Sequence, residues 1–125
     1  MTRASAAAVG VVVWLAVGAI GLAVLGATWP AYAMAVPAKV YSTPMLLARL
    51  SVAMAASLSA GVVAGRIGGT RAAWWTAAVV AAGSLVVHVG IVWSDYAAWY
   101  HAAYLLPLVP LIVGAGGFSS SAGRR

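Results

Sequence analysis

Of 125 residues, 65% are hydrophobic and only 6% charged, against roughly 45–50% and 25% in soluble domains, so composition excludes an ordinary soluble domain and indicates a membrane protein. Seven basic residues against one acid give a formal charge of +6, but they stand singly or in pairs rather than along one stripe, which argues for the lipid bilayer as partner and against nucleic acid. The lack of cysteine excludes disulfides, thiolate metal sites and cysteine nucleophiles.

Four apolar runs are each long enough to cross about 30 Å of hydrocarbon as a helix. None alternates as a barrel strand would. The expected fold is therefore an all-α membrane protein, an antiparallel bundle of four transmembrane helices. The first is expected over residues 5–28, with Gly10, Gly18 and Gly26 at every eighth position. Arg3, the apolar run and the small residues near position 33 also resemble a cleaved signal peptide. The run is longer than the usual ~7–15 residues of such a region, which favours a retained helix. Residues 29–43, "WPAYAMAVPAKVYST", contain Pro30 and Pro37. They are too irregular to span and too aromatic for a loose linker, so they are expected to lie along the interface.

The second helix is expected over residues 44–65, capped by the Thr43 hydroxyl with Pro44 in its first turn. Ala53, Ser57, Gly61 and Gly65 recur at four-residue spacing and end in the GxxxG of "GVVAG". Such a stripe lets another backbone approach closely. Inside the bundle its expected partner is the glycine face of the first helix; outside, it is a larger membrane protein or a second copy of the chain.

"RIGGTR" is a tight turn into a third helix, residues 72–93, and "SDYA" a shorter one into a fourth, residues 98–116. In "PLVP", Pro107 and Pro110 remove amide donors and kink the fourth helix. The carbonyls of Ala103 and Leu106 then need donors, for which Trp14 and Arg49 are candidates. "GFSSSAGRR" lacks apolar periodicity, so residues 118–125 are expected to form a disordered cytoplasmic tail.

Arg3, Arg66, Arg71, Arg124 and Arg125 flank one side of these runs, Lys39 and Arg49 the other. The excess of positive charge places both termini in the cytoplasm. Trp29, Tyr32, Tyr41, Trp93, Tyr96, Trp99 and Tyr100 then form an outer aromatic belt, Trp74 and Trp75 an inner one. Six arginines to one lysine in an Ala/Gly/Val-rich chain suggest a GC-rich bacterial gene, hence a multi-pass protein of the inner (plasma) membrane.

Ionisable groups within membrane helices are candidates for function. Arg49, about 7–8 Å below the outer boundary, either snorkels to headgroups or pairs with Asp95, the only carboxylate; the pair is the favoured contact. His88 points inward and cannot snorkel. With Ser84 and Asp95 it forms a polar stripe that should face protein. His101 sits at the interface among Trp99, Tyr100 and Tyr104, or meets His88 at equal depth to share a metal or haem iron. Two histidines without further ligands are a thin set, so no cofactor is expected. The candidate pocket comprises Arg49, His88, Asp95, His101, Tyr41, Tyr100 and Tyr104.

There is no acid in the first apolar run, no HExxH, no phosphate-binding loop and no Gly-x-Ser-x-Gly. The leading expectation is a non-enzymatic accessory subunit that binds a membrane partner through its small-residue face. A small transporter or ligand-binding protein using the outward pocket is the second reading, and a haem-carrying redox subunit the third.

Overall fold

The computed structural model describes residues 1–123. Among them every regular element is helical. α1 spans Arg3–Thr28, opened by the Thr2 hydroxyl, which accepts from the Ser5 amide at 3.1 Å. α2 (Pro30–Ala38) begins on proline and ends at Lys39, whose left-handed backbone (φ 55°) stops the helix. α3 is assigned over Thr43–Leu85 and is continued by a π-helical turn, Val86–Ile91. A short 3-10 turn (Trp93–Asp95) leads to α4 (Ala98–Leu105) and α5 (Leu108–Ala122). Three stretches, Arg3–Thr28, Thr43–Ile91 and Ala98–Ala122, are long and apolar enough to cross a membrane.

α3 is two helices joined at Gly69, where φ is 74° and ψ −178°. That backbone conformation is open essentially to glycine alone, and it folds the second arm (residues 70–85) back along the first (residues 43–68). The reversal is visible in the packing, because Gly61 and Ala73 both lie against Gly116. With it the molecule is a bundle of four antiparallel helices: α1, the two arms of α3, and the α4–α5 unit.

Small residues set the spacing at the Gly69 end. Ala6, Ala64, Ala72 and Ala73 form one buried cluster. A Cβ added to Gly61 would strike the Ile112 carbonyl, and one on Gly65 the Gly116 carbonyl. The GxxxG face of the first arm therefore receives α5, not α1. α1 packs on both arms: Thr76 Oγ1 donates to the carbonyls of Ala7 (3.2 Å) and Ala72 (3.0 Å), Gly10 makes room for Thr76 and for Ala64 of the first arm, and Trp14 Nε1 donates to Ser57 Oγ. Gly18 and Gly26 pack against nothing within 4 Å. Eight residues advance a helix about 80° beyond two full turns, so those glycines rotate off the Gly10 face. Ala53 is likewise only half-buried.

Other local expectations are also corrected. Ser42, not Thr43, is the N-cap of α3, and it makes no side-chain cap bond. Residues 118–122 are helical: Ser119 Oγ donates to the Val62 carbonyl (3.2 Å), and the Thr70 and Ser120 hydroxyls meet at 3.0 Å. Arg124 and Arg125 of the expected tail lie outside the described residues. The break between α4 and α5 falls at Leu106–Pro107. Neither Trp14 nor Arg49 serves the proline-freed carbonyls, since Trp14 Nε1 donates to Ser57 Oγ (3.3 Å) and Arg49 to two tyrosines.

Gly61→Val should push α5 away and destabilise the bundle by about 1–3 kcal/mol, the usual cost of overpacking. Gly117→Val, on the open side of the same helix, should be close to neutral. Denaturant titration of both variants checks this, and equal losses would contradict the packing.

Candidate functional site

The end of the bundle opposite Gly69 is built from bulky aromatic and basic side chains. α2 carries Tyr32, the segment after it Tyr41, the first arm Arg49, the π turn His88, the following loop Tyr96, and α4 Tyr100, His101 and Tyr104. A π turn has more residues per turn than an α-helix and so shifts the phase of the helix face. Within this one His88 alone is buried, while Val86, Val87, Val89 and Ile91 face outward.

Arg49 is the centre of the cluster. Its Nη1 donates to Tyr32 Oη at 2.6 Å and its Nε to Tyr100 Oη at 3.3 Å. The guanidinium carbon lies 5.3 Å from the Tyr41 ring centre and 5.4 Å from that of Tyr96, within range of a cation–π attraction. Tyr41 and Tyr96 stack on each other at 5.4 Å. Burial pushes the Tyr96 phenol above its ordinary pKa, against the opposing pull of Arg49. The ring therefore faces the cation as a neutral phenol.

The expected Arg49–Asp95 pair is not formed. Asp95 accepts from Lys39 Nζ at 2.9 Å on the exposed rim, because the left-handed turn at Lys39 ends α2 close to the Asp95 loop. Among the described residues Arg49 thus has no carboxylate partner, in a chain that has only one Asp or Glu. Nor does it snorkel free of the protein, since the phenols of Tyr32 and Tyr100 hold it in place. Those two rings, assigned to the outer belt, are each only 2% exposed.

His101 is 1% exposed rather than interfacial. It stacks on Trp93 at 4.6 Å, and its Nδ1 lies 2.8 Å from His88 Nδ1. Its Nε2 lies 3.1 Å from the Trp93 carbonyl, which can only accept, so His101 carries its proton there. A neutral His101 then offers Nδ1 as acceptor, His88 Nδ1–H donates to it, and His88 Nε2 is left as a bare lone pair. The 2.8 Å between the two Nδ1 atoms is hydrogen-bonding distance. His88 also packs on Tyr104 at 4.1 Å.

A cavity of about 370 Å³ opens beside the cluster, with Arg49, His88, Tyr96, Tyr100 and Tyr104 on one wall and Trp14, Leu15, Gly18 and Leu22 of α1 on the other. A second, of about 320 Å³, shares Trp14, Leu15, Val87, His88 and Tyr104 with it and reaches down to Val79 and Gly83; Ser84 also lines it. Of the expected pocket residues, Arg49, His88, Tyr100 and Tyr104 line these cavities. Tyr41 and His101 stand behind them, and Asp95 lies on the rim. Tyr32, Tyr96 and Trp14, absent from the expected set, complete the site. In the sequence Tyr32 and Tyr96 read as part of an interfacial belt, and Trp14 as a donor to the carbonyls freed by proline.

No protein-family model, curated protein or solved structure matches this chain.

Tyr32→Phe removes a hydrogen bond to a charged group and should cost about 1.5–3 kcal/mol. Asp95→Asn breaks an exposed ion pair and should cost less than about 1 kcal/mol. Unfolding titrations at low salt compare the two, and the reverse order would show that Arg49 depends on Asp95 after all.

Proposed function

We propose that this chain is a small bacterial inner-membrane protein that crosses the bilayer four times, with both termini cytoplasmic, and binds a small molecule in an outward-facing pocket centred on Arg49. Membrane residence is supported by the many large apolar side chains left on the surface, while several polar side chains lie inside. Ser57, Thr76, Ser84, His88, His101 and Ser119 are buried, whereas Val12, Ile20, Leu85, Val86, Ile91 and Leu106 are exposed. Water would penalise that surface, while hydrocarbon favours it. Orientation is supported by Arg3, Arg66 and Arg71, which gather around one cavity at the Gly69 end.

The observation that carries the ligand reading is the cation without a counter-ion. Arg49 is half-buried, and withdrawing an arginine even partly from water is unfavourable unless it is neutralised and hydrogen-bonded. Phenols and ring faces offset only part of that cost. A guanidinium held this way beside an open cavity is poised for an anion. Nothing in the cluster resembles a nucleophile paired with a base, so the reading is binding or transport rather than catalysis. A second reading, the accessory subunit, is favoured by α1, where Gly26 has open space beside it.

Native mass spectrometry of protein extracted in its own lipid tests the first reading. The wild type should carry one tightly held molecule that Arg49→Gln releases and Val12→Leu, on the outer surface, retains. A wild type with no such adduct, or an adduct indifferent to Arg49, would contradict it.

A further inference from the structure

We infer that the ligand is a single-chain anionic amphiphile, its carboxylate or phosphate head on Arg49 and its acyl chain in the furrow between α1 and the second arm of α3. This rests on the ligand reading above and adds the chemical class to it.

The head end follows from donor arithmetic. A guanidinium offers five N–H donors in a planar fork that matches carboxylate and phosphate oxygens. Tyr32 and Tyr100 occupy two of them. Arg49 itself borders the cavity, where a donor not used by the tyrosines and the positive charge can meet an anion. Tyr96 and Tyr100 border the same cavity and can donate to the same head through their hydroxyls, and neither carries a competing negative charge.

The tail end follows from what lines the rest of the space. Away from Arg49, the His88–Tyr104 contact and the Ser84 hydroxyl, the walls are apolar: Leu15, Leu22 and Val87 in the first cavity, Val11, Val79 and Val80 in the second. From Val92 to Val79 the furrow follows about 20 Å of helix, which is far more than a short acid needs and enough for a long acyl chain. It continues past Val79 into a third apolar space lined by Ala8, Val12 and Trp75. Leu15 and Val87 are themselves exposed on the bundle surface, so the furrow is open along its side and a chain can enter from the hydrocarbon without crossing the aromatic cluster. Polar at one end and apolar along its length, the space has the polarity of a fatty acid or lysolipid.

Two glycines allow the tail to be tested without disturbing the head. Gly18 borders the first cavity and Gly83 the second, and a Cβ on either meets nothing within 4 Å. Gly18→Leu and Gly83→Leu should fill the furrow, leave the empty protein melting no lower than wild type, since leucine favours a helix more than glycine does, and keep Arg49 in place. Purified full-length protein in a neutral maltoside detergent is titrated with sodium oleate, oleyl alcohol, sodium acetate and inorganic phosphate. Melting temperature and isothermal titration are the readouts.

Oleate should bind at one saturable site and raise Tm. Oleyl alcohol, and oleate on Arg49→Gln protein, should bind about ten- to hundred-fold more weakly, the scale of a charge-assisted contact. Acetate and phosphate at equal concentration should do nothing, and each leucine variant should weaken oleate about ten-fold or more, as loss of a few buried methylenes would. Oleate and oleoyl lysophosphatidic acid present the same chemistry from a free acid and from a lipid, and the tighter of the two identifies the source.

Acetate or phosphate acting as strongly as oleate, with Gly83→Leu indifferent, would overturn the amphiphile and leave an anion pocket. Oleate binding undiminished in Arg49→Gln would overturn it as mere partitioning. Failure of oleate and of the lysolipid alongside an Arg49-dependent native adduct would overturn the class and leave the ligand reading standing. Failure of both the probes and the adduct would remove both.

Discussion

A single guanidinium surrounded by phenols organises one end of this molecule. Arg49 ties the first arm of α3 to α2 through Tyr32 and to α4 through Tyr100, while Tyr41 and Tyr96 flank it with their ring faces. These are the segments that the four helices alone would leave loose, namely the short α2 and the loop around Asp95. The cation is held by neutral groups only, so its charge is satisfied geometrically but not neutralised. That imbalance makes the end of the bundle a site rather than merely a junction.

The two ends of the bundle follow opposite packing rules, and the furrow is the consequence. Near Gly69 the contacts are between glycines, alanines and the backbone itself, as where Gly61 lies against Ile112 and Gly65 against Gly116. Helices there approach until their backbones touch, the close approach that small residues permit. At the other end tyrosine, histidine and tryptophan rings fill the centre and hold the helices apart. α1 stays with the first arm through Val52 beside Gly21 and through the Trp14–Ser57 bond. At this end a space between α1 and the second arm opens beside His88, although Thr76 still bonds Ala7 near Gly69.

The helices themselves could be read from the chain because their cause is local: run length, apolarity and the Gly68–Gly69 pair specify where each helix runs and where the chain turns back. Contacts between helices depend on rotation about each axis, which such patterns resolve poorly. The glycines at every eighth residue of α1 look like a face until the helical phase is followed, and then they spread around it. His88 and Asp95 look like neighbours on one stripe, but the π turn and the 3-10 turn between them break the phase. Side and depth were enough to place Arg49 and Asp95 at the same surface. They were not enough to show that Lys39 would reach the carboxylate first, or that Tyr32 would fold in from a segment without clear periodicity. The serines after Phe118 carry no apolar signal, yet hydroxyl bonds to Val62 and Thr70 secure that turn of α5.

The most direct measurement is side-chain NMR of arginine-labelled protein in micelles, following the Arg49 Nε–H resonance in Tyr100→Phe and in Asp95→Asn. A guanidinium held by phenols will give a resonance that moves strongly when the Tyr100 hydroxyl is removed and stays in place when the carboxylate is. A resonance that follows Asp95 and ignores Tyr100 would mean that the cation is already paired, and the reason for an anionic ligand would be gone.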